Sequence, residues 1–504
     1  MHLLQPELHS RRAFLKRSGQ LALSGTALPL ALNLAAMGEA AAFNATSGDY
    51  KALVCVFLYG GNDYGNTVVP YDDANYDLYS TIRGGGAGRT AGGIALGQAA
   101  LLPTLLAPSA APADALGSTS RQFALNPGMT ALAGLFNNRH AAVQLNVGPL
   151  VKPLTRDQYN NSNHVLYPRP PQLFSHNDQQ SIWQSSSPEG STIGWGGNMG
   201  DLALSPGLGL NTASTFTCMS VTGNAVFLSG DTALQYQVTT GGAIKINSAA
   251  LSTSVYGSTA VSAAMNSLLK QSRTHVLENE YNKVSTRALA AEGLVTSALT
   301  LPPPGTGANP AFATDSLAQQ LKMVARLING RSTLGARRQV FLVSQGGFDL
   351  HDNLIRDHGG LLAKVSDAMT AFYNATDTMG IANQVTAFTA SDFGRTLASN
   401  GDGSDHGWGS HHFVVGGAVN GGRFYGTAPP VSTSDAKRGS TYLDANQWHV
   451  GQGRLLPSTA VDQYAATLAK WFGVDPSEMV GVLPNSVNFG AAAPAYPIDM
   501  GFMA

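Results

Sequence analysis

Apolar and polar residues follow two alternating patterns along most of the chain. Residues 51–59 form an unbroken run of aliphatic, β-branched and aromatic side chains that ends at Gly60-Gly61, which is typical of a strand buried in a parallel sheet. Strands are predicted at 51–59, 141–147, 339–345, 384–390 and 412–416, and helices at 126–139, 175–184, 314–330, 354–379 and 458–472. Strands that alternate with helices of about 10–25 residues predict an α/β fold with a doubly wound, mostly parallel sheet.

The central part of the chain departs from this alternation. Residues 205–260 are rich in Thr, Ser, Gly and Val, in short alternating patterns that predict short strands. Residues 255–299 have helical periodicity, and a connector rich in Pro and Gly follows at 301–310. We therefore expect one α/β domain over residues 43–504, with an insertion or cap at about 185–300.

The first 42 residues have the pattern of a twin-arginine signal peptide. Arg11-Arg12 precede Phe14-Leu15-Lys16, a weakly apolar run covers 21–36, and small residues follow at 38–42. The apolar run is too short and too rich in Ala, Gly and Ser to span a bilayer, and no membrane span is expected in the mature chain. These features predict bacterial export by the twin-arginine machinery, to the periplasm or the extracellular space.

Composition narrows the function further. Charged residues make up 12% of the 504 residues, and 30 Lys and Arg balance 31 Asp and Glu. This balance argues against nucleic-acid binding, which depends on a basic surface. The two cysteines, Cys55 and Cys218, cannot supply a four-cysteine zinc site or a framework of several disulfides.

Asp and His residues collect beside the predicted strands. The first strand is followed by GGNDYGN, the strand at 339–345 by GGFDLH and the strand at 384–390 by SDFGRT, while DHGWGSHH leads into the last strand. In open α/β sheets, ligands bind at the carboxyl ends of the strands. Carboxylate and imidazole together suit zinc, manganese or iron. We therefore expect a site for one or two divalent metal ions at this edge, with calcium as a further candidate.

Several longer motifs resemble one known family. They are LYGGNDYGNTVVPYDD, FSHNDQQSIWQ, GWGGNMGDL, GGFDLHDN and TASDFGRTLASNGDGSDHGWGSHHFVVGG. On these motifs the mature chain resembles the secreted bacterial family known as domain of unknown function 1501, which is similar to the alkaline phosphatase and sulfatase superfamily. The resemblance implies an alkaline phosphatase-like fold with two metal sites around one nucleophile.

The superfamily pattern assigns metal ligands residue by residue. It implies that Asp63 and Asp392 bind one metal and that Asp349, His351 and His406 bind the other. His358 is an alternative to His351. Phe393 stands where the superfamily usually has a histidine, a departure that weakens the case for a second metal. We expect Asp63, Asp349, Asp392 and His406 to converge within reach of a shared metal centre.

The resemblance also indicates catalytic residues. Ser175, which opens the short predicted helix, corresponds to the nucleophile, with Thr67 as a rival. Arg395 is expected to hold an anionic ester through a bidentate contact. His411 or His412 is expected to act as a general acid, and either is an alternative to His406 as a ligand.

Two functions follow from this reading. The first is an exported, metal-dependent hydrolase of phosphate or sulfate esters, which would take an anionic ester as its substrate. The alternative is a non-catalytic binding or scaffold protein that has kept the fold and lost the metal chemistry.

Overall fold

The computed structural model describes residues 43, 49–205, 210–211, 214–246, 254–301 and 312–504. The predicted signal peptide at 1–42 and most of the predicted connector at 301–310 lie outside these residues. The strands in the described part are β1 (Lys51–Leu58), β2 (Val68–Pro70), β3 (Ala113–Asp114), β4 (Phe123–Leu125), β5 (Ala141–Gly148), β6 (Cys218–Ser220), β7 (Gln235–Thr239), β8 (Gly242–Ala243), β9 (Arg338–Gln345), β10 (Val385–Ser391), β11 (Ser410–Gly416), β12 (Phe424–Tyr425), β13 (Thr427–Ala428), β14 (Lys437–Arg438), β15 (Thr441–Tyr442) and β16 (Thr459–Ala460).

Helices of various lengths separate these strands. In the same residues they are α1 (Asp73–Arg83), α2 (Gln98–Leu101), α3 (Thr130–Asn137), α4 (Arg156–Tyr159), α5 (His176–Ser185), α6 (Trp195–Ala203), α7 (Thr259–Lys270), α8 (Val276–Ala298), α9 (Ser316–Asn329), α10 (Leu354–Thr378), α11 (Val461–Phe472) and α12 (Met479–Val482). No helix among the described residues is both long enough and apolar enough to cross a bilayer.

The central sheet has ten strands in the described part of the chain, in the order β12-β5-β11-β10-β1-β9-β6-β7-β8, with β16 added beside β5. β1 lies between β10 and β9 and is parallel to both, so that Leu58 pairs with Ser391 on one side and Gln345 on the other. β11 runs antiparallel to β10 and β5, and β8 runs antiparallel to β7. The predicted mixed α/β fold with a large, mostly parallel sheet is confirmed.

Both faces of β1 are buried, which explains its unbroken apolar run. Val54 and Val56 belong to an apolar layer that includes residues of α3, α9 and α10. Cys55 and Phe57 belong to the opposite layer, which includes residues of α6 and α11. Since neighbouring side chains of a strand point to opposite faces, each layer takes alternate residues of the same strand. Both cysteines, Cys55 and Cys218, are buried and free.

The predicted insertion at 185–300 contributes directly to this sheet. Its strands β6 and β7 extend the sheet beyond β9, with Cys218 paired to Val340. The helical periodicity of residues 255–299 resolves into two helices, α7 and α8, rather than one. The break lies at 271–275, where Asn279 Oδ1 accepts a hydrogen bond from the backbone of Arg273 at 3.3 Å.

One predicted helix start differs from the structure for a local reason. The helix predicted at 126–139 begins only at Thr130. Asn126 Oδ1 accepts a hydrogen bond from Gly128 N at 3.1 Å, which closes a turn before the helix. Asn side chains commonly stabilise such turns at the expense of helical structure.

Candidate metal centre

The candidate centre lies where three parallel strands end together. Gly60 follows β1, Asp349 follows β9 and Asp392 follows β10. Gly60 has a φ of +116°, and a Cβ there would lie 2.3 Å from Asp349 N, so only glycine fits this close approach. Gly60 N donates to Asp392 Oδ2 at 3.2 Å, which joins the loop after β1 to the loop after β10.

Asp349 is the common contact of three histidines. Its carboxylate oxygens lie 3.1 Å from His351 Nε2, 3.2 Å from His406 Nε2 and 3.5 Å from His176 Nε2. The Nε2 atoms of His351 and His406 are 2.9 Å apart. His176, Asp349 and His406 each present one donor atom within 4.8 Å of the others, a spacing that suits a bound metal ion.

The outer nitrogen of each imidazole meets an oxygen acceptor. His176 Nδ1 lies 2.6 Å from Asp392 Oδ2, and His406 Nδ1 lies 2.8 Å from the carbonyl oxygen of Phe174. His351 Nδ1 is 3.4 Å from Asp405 Oδ1. Metal-binding histidines usually donate their second ring N–H to a carboxylate or carbonyl, which orients the ring and leaves the other nitrogen free for the metal.

The electrostatics of the centre keep its carboxylate charged. Burial disfavours ionised Asp349, but the hydrogen bond and charge of Arg395 outweigh burial and lower the pKa of Asp349 below its ordinary value. The hydrogen bond that the His176 ring donates to Asp392 raises the pKa of His176. Burial lowers the pKa of His406, which favours the neutral imidazole that binds metals.

A family model described as "Protein of unknown function (DUF1501)" matches residues 50–449, which include all the residues of this centre. The chain belongs to the DUF1501 family. A search of the curated proteins found no match. Among solved structures, the chain is similar to "Crystal structure of Ps i-CgsB in complex with k-i-k-neocarrahexaose", at 9% identity and a TM-score of 0.33, over 89% of this chain and 77% of that one. A likeness this weak does not bear on function.

His176 was not predicted from the sequence of this DUF1501 chain. It is the first residue of α5, whereas the metal ligands were predicted among residues beside strands, and only Ser175 was predicted to act from this helix. The motif FSHNDQQSIWQ placed a histidine directly after Ser175, and this was the available signal. Asp405, which contacts His351, is one of the candidate ligands in the motif DHGWGSHH, but the superfamily pattern gives it no place in either metal site.

Asp63 does not join the centre, contrary to the predicted convergence. Its two carboxylate oxygens accept hydrogen bonds from Arg83 at 2.6 and 2.7 Å, and both side chains are buried. Arg83 also donates to the carbonyl oxygen of Thr396 at 3.2 Å. Burial alone would raise the pKa of Asp63, but Arg83 outweighs burial and lowers it. Asp63 is therefore half of a buried ion pair, with no carboxylate oxygen free of Arg83.

Asp392 supports a histidine of the centre from behind. Its Oδ2 contacts His176 Nδ1 and also accepts from Gln180 Nε2 at 3.0 Å. The residue is fully buried, and it does not belong to the group of donor atoms that could share a metal. The structure thus places Asp392 where it orients His176, rather than where it would bind the metal directly.

The predicted nucleophiles make other contacts. Ser175 Oγ donates to Asp178 Oδ2 at 2.9 Å. Thr67 is buried, and its hydroxyl donates to the carbonyl oxygen of Asp63 at 2.7 Å. Neither hydroxyl contacts Asp349 or one of the three histidines through a hydrogen bond in the described residues.

His411 and His412 lie within the sheet rather than at the centre. His411 Nδ1 accepts from Asn146 N at 3.0 Å, and His412 Nδ1 lies 3.2 Å from Thr389 Oγ1. Both are buried, and burial lowers the pKa of each to about 3. The alternative ligand His358 is also buried, with Nε2 2.9 Å from Asn62 Oδ1. These rings have structural contacts and do not meet the predicted acid or ligand geometry.

Phe393 and Arg395 are buried and contact residues of the centre. The Phe393 ring packs against His176 and His406, with centroid separations of 4.9 and 4.6 Å. Arg395 is fully buried, and it donates to Asp349 at 2.8 Å and to the carbonyl oxygens of Gly60 and Ser404. Arg395 therefore orients Asp349, and its contacts leave little of the guanidinium for a bidentate contact with substrate.

Proposed function

We propose that this chain is an exported, metal-dependent hydrolase of phosphate or sulfate esters, built on an alkaline phosphatase-like arrangement of the α/β fold. The observation that carries the proposal is the orientation of three imidazoles. His176, His351 and His406 each direct Nε2 to Asp349 while Nδ1 meets an oxygen acceptor. A shared orientation of this kind is typical of metal ligands with supporting outer contacts.

The donor set favours some metals over others. Imidazole nitrogen suits zinc, iron and manganese, whereas calcium prefers oxygen ligands only. We therefore narrow the expected cofactor to one zinc, iron or manganese ion held by His176, Asp349 and His406, with His351 at its side. The pairing of Asp63 with Arg83 removes a ligand that a second metal site was expected to use.

The centre is open enough for catalysis. The side chains of Asp349 and His351 are both 45% exposed, and those of His176 and His406 are 29% and 24% exposed. Structural metal sites are usually closed by four protein ligands, whereas catalytic sites keep a position for water or substrate. The exposed side of Asp349 and His351 supports the catalytic assignment.

The contacts of the serine favour water as the nucleophile. A divalent metal lowers the pKa of bound water and stabilises the leaving oxygen of an ester. His176, Asp349 and His406 would hold the metal ion. Asp392 and Phe393 contact the imidazole rings and set their orientation. Arg395 keeps Asp349 ionised. Ser175 donates to Asp178, so we assign it no covalent step.

Metal content tests this proposal most directly. Protein purified from its native export route without chelators is measured by elemental analysis, beside His406→Ala, His176→Ala and the control His275→Ala, an exposed histidine that precedes α8. We expect about one equivalent of zinc, iron or manganese in wild type and in the control, and a loss in both other variants.

Activity is then measured with p-nitrophenyl phosphate and p-nitrophenyl sulfate. Hydrolysis of either ester by wild type, lost together with the metal, supports the hydrolase. Folded protein without metal overturns the proposal in favour of the binding or scaffold function. Bound metal without hydrolysis of either ester also overturns the hydrolase and favours a non-catalytic binding protein.

A further inference from the structure

Arg454 contacts His406, a candidate ligand of the centre, and Phe174, whose carbonyl oxygen meets the His406 ring. Its Nε donates to the carbonyl oxygen of His406 at 2.7 Å. Its guanidinium lies over the ring of Phe174, 5.5 Å from the centroid. Phe174 is also the residue whose carbonyl oxygen meets His406 Nδ1 at 2.8 Å. Arg454 is thus held next to the metal centre by contacts that involve only its Nε and its flat face.

The terminal nitrogens of Arg454 donate no hydrogen bond among the described residues, although the charge of Asp405 acts on the guanidinium from beyond 4.0 Å. Arg83, Arg156 and Arg395 each pair with a carboxylate there, whereas Arg454 forms no ion pair within 4.0 Å. Arg454 is partly exposed. A guanidinium held by its Nε and its face keeps the two-pronged end that matches phosphate or sulfate oxygens.

We propose that Arg454 binds the anionic group of the substrate, and that it makes the centre selective for charged phosphate or sulfate esters over neutral esters. This inference rests on the proposed hydrolase function and adds a recognition residue to it. Arg395 is not available to bind the anionic group, because it is fully buried and its contacts go to Asp349, Gly60 and Ser404.

The chain offers a matched control for this residue. Arg331 also lies over an aromatic ring, with its guanidinium 5.1 Å from the centroid of Tyr50, and it is partly exposed. Tyr50 directly precedes β1, so this arginine lies near the amino end of the strand, whereas the centre lies beyond its carboxyl end. Arg331→Met should remove the same charge and stacking without touching the centre.

The experiment compares wild type, Arg454→Met, Arg454→Lys and Arg331→Met, all as full-length exported protein. Binding of inorganic phosphate and of sulfate is measured by calorimetry, and metal content is measured on the same samples. KM and kcat are measured with p-nitrophenyl phosphate, p-nitrophenyl sulfate and the neutral ester p-nitrophenyl acetate. Methionine keeps an apolar stem but removes the charge, the stacking on Phe174 and the Nε–H that donates to His406.

We expect Arg454→Met to weaken binding of the inorganic anion, and to raise KM for the charged ester, by about 10-fold or more. The change in kcat should be smaller, and metal content, like KM for the neutral ester, should stay at the wild-type level. Arg454→Lys should recover part of the binding, because it restores the charge without the bidentate geometry. Arg331→Met should match wild type.

Three results would overturn the inference. The first is wild-type protein that binds neither anion, the second is unchanged anion binding in Arg454→Met, and the third is loss of metal in that variant, which would show that Arg454 supports His406 instead. Failure of the hydrolase function is recognised separately, as absence of metal or of ester hydrolysis in wild type. In that case anion binding by wild type and Arg454→Met still decides the role of Arg454.

Discussion

Two neighbouring strand ends carry an aspartate in similar sequence surroundings but use it differently. Asp63 follows β1 in GGNDYGN, and Asp349 follows β9 in GGFDLH. Asp63 is buried, and Arg83 from the end of α1 holds both of its oxygens. Asp349 is half exposed and contacts His351, two residues further on, together with His176 and His406 from distant parts of the chain.

The difference shows that position beside a strand end does not by itself make a ligand. At the end of β1, Arg83 pairs with both oxygens of the buried carboxylate of Asp63. At the end of β9, the arginine that contacts the carboxylate is Arg395, which donates to Oδ1 of Asp349 while that side chain stays 45% exposed. What decides the role is the charge of the neighbours and the side from which they approach.

Breaking the buried ion pair should have the largest effect. Arg83→Met would leave the carboxylate of Asp63 buried without its partner, which should lower the free energy of unfolding by about 3–5 kcal/mol. Asp349→Asn removes a half-exposed charge but leaves buried Arg395 without its carboxylate, and should cost about 1–3 kcal/mol. Urea unfolding in the presence of chelator measures both. Equal losses would remove the distinction between the two strand ends, and Asp63→Asn combined with Arg83→Met should recover part of the stability.

Metal affinity should depend on Asp349 and not on Asp63, which is the reverse of the order expected for stability. Asp349→Asn and His406→Ala should each weaken metal binding by more than about 100-fold, since loss of a ligand should exceed the 10–100-fold effect usual for outer contacts. Asp63→Gln should leave the affinity of the folded protein close to that of wild type. Competition with a chromogenic chelator gives these affinities. A loss of metal in folded Asp63→Gln as large as in Asp349→Asn would return Asp63 to the centre.

Asp392 lies between these two cases, because it is buried like Asp63 but supports a residue of the centre. Asp392→Asn should weaken metal binding by about 10–100-fold, since His176 would lose the carboxylate that orients its ring. Gln180→Ala removes another contact of Asp392 and should have a much smaller effect. A wild-type affinity in folded Asp392→Asn would show that His176 does not depend on this contact.

The buried histidines of β11 should make stability sensitive to acid. Burial lowers the pKa of His411 and His412 to about 3, whereas an unfolded histidine has a pKa of about 6.5. Since the unfolded chain takes up these protons first, the stability contribution is complete above about pH 6.5 and is lost as pH falls toward 3. Each histidine should add up to about 1.4 kcal/mol per pH unit to the slope. His412→Leu should therefore show a shallower fall in unfolding free energy between pH 6 and pH 5, and an unchanged slope would argue against a neutral buried ring.

The smallest effect is expected at Ser175. Ser175→Ala removes a hydrogen bond to Asp178 and should lower the free energy of unfolding by about 1 kcal/mol or less. With water as the nucleophile, kcat for a charged ester should stay within about twofold of wild type. A fall in kcat of about 1000-fold or more with metal retained would instead identify Ser175 as a covalent nucleophile.

Much of the fold could be predicted because it depends on short-range patterns. The apolar run of β1, the strands β5, β9 and β10, and the long helix α10 all appear close to their predicted bounds. Such patterns report burial on one or both faces of an element, which the sequence carries locally. The start of α3 was less predictable, because a side-chain turn at Asn126 competes with the helix.

The candidate site was predicted only in part. Asp349, His351 and His406 lie together, as their positions beside strands indicated. Asp63, His411 and His412 have other partners, and His176 entered the centre from a helix. The contact of His176 with Asp392 joins residues 216 positions apart, whereas the pair of Asp63 and Arg83 spans 20. The order of apolar and polar residues near each partner does not reveal either of these contacts.

The sequence by itself determined the α/β class, the DUF1501 resemblance and the edge of the sheet at which Asp and His collect, because each depends on residue types in order along the chain. Only the tertiary structure decided which carboxylate is paired with a buried arginine and which histidines share Asp349. Those choices depend on distances of a few ångströms between remote segments. Packing sets those distances, since it brings α1 and α5 to the carboxyl ends of β1, β9 and β10.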